Sequence, residues 1–210
     1  MTAETLFDTT APAPAPARAG GPRPLVIGLD IALVNSGVAG PDWTDHIRTK
    51  NLRGEARLDM ILTAAQTFYR HADLVVIEGA SYGSAMQGGH DEMAAARWQI
   101  RVDLWRRGIP FAVVPPDSRA VYALGTARPK HPATGRKLTP AETKGAVRDA
   151  VAERYGIETA GATRYDQADA YVLAAMGLDW LGYPLAVVAD THGRAMAGVA
   201  WPTTVPVVAR

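Results

Sequence analysis

Two short apolar runs, each with an acid at its exit, constrain this chain most: Leu25-Val26-Ile27-Gly28-Leu29-Asp30-Ile31 and Asp73-Leu74-Val75-Val76-Ile77-Glu78. Runs this short and this rich in branched residues read as buried strands rather than helices. Ile109-Pro110-Phe111-Ala112-Val113-Val114 is a third, closed by Pro115-Pro116. Segments of helical period lie between them. Gly54 to His71 carries Leu58, Ile61, Leu62, Ala65 and Phe68 at helical spacing, and a second helix is expected from a cap at Asp91 to about Arg107. After a turn at Asn35-Ser36-Gly37, segments around Val38 and from His46 to Thr49 read as two more strands of a meander. Three strands come first, and helices and strands then alternate. The expected class is α/β, a mixed sheet of antiparallel meander plus parallel strands, flanked by helices.

Thr139-Pro140-Ala141-Glu142 has the form of a helix start, with proline in the first turn and a capping-box glutamate, and a last core helix is expected from about Tyr165 to Gly177. The Ala-Pro alternation within Met1 to Pro24 disfavours both helix and ladder, so residues 1–24 are expected to form a disordered leader. Residues 25–182 are expected to form one domain with a basic insertion at 125–139, followed by a C-terminal extension, 183–210, without evident chemistry. The 210 residues, 48% hydrophobic and 20% charged, suffice for one sizeable core. Zero cysteines exclude disulfides, thiol nucleophiles and thiolate metal sites. No apolar run approaches the roughly 18 residues of a membrane span. A cytoplasmic protein without a membrane partner is the expectation.

The acids carry the chemical information. Asp30 and Glu78 each end an apolar strand, while Asp166 and Asp169 stand three apart at a helix start and so share one face. Singly, each has an ordinary role as turn residue, cap or dipole partner. Together they place four carboxylates beside a buried sheet, where a hard divalent cation compensates them. Mg²⁺ prefers such oxygen ligands, and two ions about 3.5–4 Å apart can clamp the attacking and leaving oxygens of a phosphoryl displacement.

The residues around the acids resemble a known family. Gly28-Leu29-Asp30-Ile31-Ala32-Leu33-Val34-Asn35-Ser36-Gly37 is similar to the first motif of RuvC-type Holliday-junction resolvases. Val76-Ile77-Glu78 resembles their second motif, and Asp166-Gln167-Ala168-Asp169-Ala170 their final helix motif. Val114-Pro115-Pro116 and Lys144 are similar to the family's proline-ended strand and substrate-contacting lysine. The resemblance runs from about Leu25 to Gly177. It implies an RNase H-like fold, a homodimer, and Mg²⁺-dependent nicking of branched DNA such as a four-way junction, with Mn²⁺ as a substitute ion. On that reading Asp30, Glu78, Asp166 and Asp169 hold metal, and Lys144 joins them in catalysis. The Ala-, Arg-, Gly- and Pro-rich composition suggests a high-GC genome, of host or phage.

From Arg119 to Arg148 there are seven basic residues and one acid, inside a chain whose formal charge is only +1. Arg119, Arg128, Lys130, Arg136, Lys137 and Lys144 are candidate DNA contacts, since clustered cations follow a phosphate backbone. Tyr82, just past Glu78, is a candidate for stacking on an unpaired base. Trp98 and Trp105, seven apart on one helix, suit a core or dimer interface. Competing readings are a related nuclease acting on RNA or an RNA–DNA hybrid, and a non-catalytic DNA-binding module of the same fold. An actin-like kinase would need a second phosphate loop, which this sequence lacks.

Overall fold

The structure, a computed structural model, describes residues 22–80 and 89–203. Most of the expected leader, and Tyr82, lie outside these residues. Strands β1 (Val26–Asp30), β2 (Asn35–Gly40), β3 (Trp43–Arg48), β4 (Leu74–Glu78) and β5 (Phe111–Val114) form one sheet in the order β3-β2-β1-β4-β5. The pairs β1–β2 and β2–β3 are antiparallel, whereas β1–β4 and β4–β5 are parallel. Helices α1 (Gly54–Tyr69), α2 (His90–Arg107), α3 (Pro116–Leu124), α4 (Pro140–Tyr155), α5 (Arg164–Trp180) and α6 (Asp190–Gly193) surround it, and a 3-10 turn spans Arg194–Gly198. This is the mixed α/β architecture expected from the strand and helix periods.

The period-two alternation of the strands divides the core into two layers. Ile27, Leu29, Val75 and Ile77 pack with Ile61 and Ala65 of α1 and with Ala96, Ile100 and Leu104 of α2. Val26, Leu74, Val76, Ala112 and Val114 pack on the opposite face with α5. Every residue of α5 from Ala168 to Leu178 is buried, so this helix runs through the protein interior. Two glycines allow it to lie directly on the sheet. A Cβ at Gly28 would collide with the Ala170 carbonyl, and one at Gly37 with the Asp166 carbonyl. Side chains on β1 and β2 would therefore push α5, with its acids, away from the strand ends.

Three local expectations need correction. Asn35, Ser36 and Gly37 already belong to β2, because the Ser36 hydroxyl accepts from Ala32 N at 3.0 Å and donates to Ala32 O at 2.9 Å, closing the chain one step earlier. Asp91 does not cap α2; Gly89, with φ 84°, precedes a helix that starts at His90 and has no side-chain cap. Pro116 opens a helix instead of ending a strand region. It stands at the first turn of α3, where a missing N–H costs nothing. The expected capping box of α4 is present: Glu142 N donates to Thr139 Oγ1, and Thr139 N donates to Glu142 Oε2 at 2.8 Å.

Candidate active site

The parallel pairing of Leu29 with Ile77 brings the next residues, Asp30 and Glu78, side by side at the exits of the two central strands. α5 crosses the same end of the sheet and supplies Asp166 and Asp169 from its first two turns. Asp30 and Asp169 are almost fully buried, at 9% and 2% exposure. Glu78 and Asp166 are partly open to solvent.

Arg119, from α3, enters this group. Its Nε donates to Glu78 Oε1 at 2.6 Å, and its Nη1 pairs with Asp169 Oδ1. Its side chain is only 14% exposed. Burial pulls the guanidinium pKa down, but Asp169, Glu78 and Asp30 together hold it above its ordinary value. Lys144, exposed on the first turns of α4, places Nζ 3.5 Å from Asp166 Oδ1. The structure thus moves Arg119 from the basic loop to the acids, where it bridges Glu78 and Asp169. Sequence reasoning misses this because it assigns no helix to residues 116–124. The signal is Pro116, three residues ahead of Arg119 and a favoured helix opening.

Charge remains in excess even with Arg119 present. Burial, then the charges of Glu78 and Asp169, raises the Asp30 pKa well above the carboxylate range, against the opposing pull of Arg119; a hydrogen bond with Glu78 adds to the rise. Burial likewise pushes Asp169 up to about 6, with Arg119 and Lys144 opposing and Glu78 and Asp166 reinforcing. A site of crowded carboxylate oxygens is the donor chemistry of a hard divalent cation. The donors fit such an ion in kind. Among the described residues, however, no three acidic or imidazole side chains are gathered as a metal centre, and Arg119 lies between two of the acids.

The remaining candidate DNA contacts divide into two sets. Lys130 and Lys137 face each other across an antiparallel bridge, in a turn closed by His131 N to Arg136 O at 2.8 Å. Opposed residues of such a bridge project to the same side. These two lysines and Arg128 are at least partly open to solvent. Arg136 instead forks onto Glu142, Nη1 to Oε2 at 2.8 Å and Nη2 to Oε1 at 2.6 Å, and thereby fastens the loop to the start of α4. Trp98 and Trp105 are not core residues: they stand 57% and 74% exposed on α2, with Val102 between them.

A mixed five-stranded sheet with a helix laid across its central strands defines an RNase H-like fold. Its measured likeness is to RuvC. The Thermus thermophilus RuvC structure is 16% identical and matches with a TM-score of 0.52, covering 79% of this chain and 99% of that one. A second T. thermophilus RuvC, in complex with Holliday junction substrate, is 17% identical over the same shares, at a TM-score of 0.49. The chain thus has the fold of a RuvC-type resolvase. No protein-family model and no curated protein sequence matches it. No helix among the described residues is long and apolar enough to cross a membrane.

Proposed function

We propose that this protein is a Mg²⁺-dependent endonuclease that nicks branched DNA, the four-way junction above all, and works as a homodimer. The observation that carries the reading is Arg119 held between Glu78 and Asp169, with Asp30 near enough to feel all three charges and Asp166 paired with Lys144 beside them. Buried carboxylates in excess of nearby cations destabilise a fold, so their presence at one end of the sheet points to the recruitment of positive charge rather than to packing. The junction as substrate is supported by the motif order from Gly28 to Asp169, which resembles that of the resolvases.

On this reading Asp30, Glu78, Asp166 and Asp169 would hold the metal, which when bound supplies Lewis-acid polarisation of phosphate oxygen and a more acidic water. Arg119, which bonds both Glu78 and Asp169, would have to release one of them for that carboxylate to serve as a ligand. A guanidinium freed in this way can turn to a phosphate oxygen, for which its planar donors are suited. Lys144, exposed beside Asp166, would stabilise charge developing on the transferring group. Lys130 and Lys137 repel each other across their bridge, and a phosphate between them relieves that repulsion. The tryptophan-bearing face of α2 is the surface on which a second copy would dock, giving two sites for two equivalent strands.

The test is cleavage of a synthetic four-way junction compared with linear duplex, hairpin RNA and RNA–DNA hybrid, each with Mg²⁺ and with chelator. Junction-selective, Mg²⁺-dependent nicking supports the reading. Preference for RNA or hybrid moves the protein to another RNase H-like activity, and binding without cleavage of any substrate makes it a non-catalytic module.

A further inference from the structure

We propose that the C-terminal segment from Asp190 to Trp201 is a clamp that positions Arg119 for the active site, a proposal that rests on the reading of Arg119 and the acids as that site. Arg119 belongs to α3 and its partner Asp169 to α5, so their pairing depends on how these two helices are held relative to each other. The segment is fastened to both. At the α5 end, the Trp201 ring stacks on Trp180, the last residue of that helix, with centroids 5.0 Å apart and planes 7° from parallel. Trp201 Nε1 also donates to Met196 O at 3.1 Å, which folds the segment back on itself.

At the α3 end, the segment supplies hydrogen bonds that a helix C-terminus lacks. Arg194 Nη2 donates to Gly125 O at 2.9 Å. His192 Nδ1 lies 2.9 Å from Tyr122 O and 3.3 Å from Arg154 Nη2, so the ring sits in the polar cluster that closes the end of α3. Arg154 of α4 adds bonds to Tyr122 O at 3.2 Å and Ala123 O at 3.0 Å. Ala200 pairs with Val113 in an antiparallel bridge, on β5, the strand that leads directly into α3. Ala195 and Val199 are buried in the core layer shared with α5. The clamp thus touches the strand before α3, the end of α3 and the end of α5. Arg119, only three residues into α3, follows the helix wherever these contacts set it.

The experiment uses two substitutions remote from the acids, Trp201→Ala and Arg194→Ala, each made in the full chain alone and together with Arg119→Gln. Urea unfolding gives a readout that needs no nuclease activity. Effects at independent sites add, whereas a clamp acting through Arg119 makes them non-additive. The expected result is that Arg119→Gln destabilises the clamp variants clearly less than the wild type. In single-turnover cleavage of junction DNA, the clamp variants should lose about tenfold in rate while binding stays within about twofold. Trp201→Phe and Arg194→Lys should recover most of that loss. Additive destabilisation, or a cleavage defect that persists unchanged in the Arg119→Gln background, overturns the proposal. If Trp201→Ala fails to fold, Arg194→Ala decides alone, since its side chain is exposed. If the wild type cleaves nothing, the nuclease reading fails while the unfolding cycle still tests the clamp.

Discussion

Arg119 Nε donates to Glu78 Oε1 across 2.6 Å and so joins α3 to the exit of β4, at the point where the sheet's carboxylates gather. The same guanidinium pairs with Asp169. One side chain therefore neutralises acids from two separate elements, in the position a metal ion would contest.

That contest is measurable. Arg119→Gln leaves Asp30, Glu78 and Asp169 without their buried cation, and the metal-free protein should lose about 3 kcal/mol of stability. Calorimetric titration should show Mn²⁺ binding tightened by about tenfold or more, because a positive charge has left the site. Unchanged or weaker Mn²⁺ binding would mean that Arg119 and metal do not compete.

The raised acids set a pH dependence. The folded-state pKa of Asp169 lies at about 6, above the ordinary carboxylate value of 3.8, with burial the largest cause. Between those values the folded state binds more protons than the unfolded one, so stability falls as pH rises through the window. Asp30, raised for the same reason and by its acidic neighbours, acts in the same direction. In chelator, urea unfolding should show a more stable protein at pH 4.5 than at pH 7 once other titrations are subtracted, and Asp169→Asn should flatten the difference. A slope of opposite sign in that comparison contradicts the burial argument.

Much of this site is legible in the sequence, for physical reasons. Asp30 and Glu78 stand out because an apolar strand rarely ends in a charge without purpose, and Asp166 and Asp169 because i and i+3 share a helix face. Thr139 and Glu142 announce α4 by purely local chemistry. Arg119 is hidden because its helix begins at Pro116, and two prolines in succession resemble a stop as much as a start. Gly28 and Gly37 are legible as glycines, but the reason for them, the backbone of α5 against the sheet, is tertiary. The C-terminal segment has no periodicity to read. Its helical turns are four and five residues long and are held by bonds to α3 and by stacking on Trp180.

The basic loop separates into cations that face solvent, Arg128, Lys130 and Lys137, and Arg136, which fastens the loop to α4. Neutralising Arg128, Lys130 and Lys137 should weaken binding to all DNA and flatten the salt dependence by up to about 0.9 for each phosphate no longer neutralised. Arg136→Ala should change the salt slope less, since Arg136 is engaged with Glu142 and holds the latter's pKa down. Lys144→Ala should instead reduce the saturated cleavage rate by roughly a hundredfold with a smaller effect on binding. An unchanged slope in the triple variant, or an unchanged saturated rate in Lys144→Ala, places the DNA elsewhere.

The exposed tryptophans of α2 predict self-association. Light scattering at micromolar concentration should give a dimer, and Trp98→Glu with Trp105→Glu should give a monomer that retains its fold by circular dichroism. A wild-type monomer, both free and with junction DNA, rules out this interface.

If the acids at the sheet's end cut DNA with metal, Asp30 is the most direct handle on that chemistry. Asp30 is buried beside Glu78, and asparagine matches it closely in size while removing its charge. The decisive measurement is the nicking of a synthetic four-way junction by wild type and Asp30→Asn, in Mg²⁺ and in chelator, with junction binding measured alongside. Wild type should nick the junction only with Mg²⁺, while Asp30→Asn should bind it at least as tightly and leave it intact. Nicking by Asp30→Asn at the wild-type rate, or no Mg²⁺-dependent nicking by the wild type, contradicts the account.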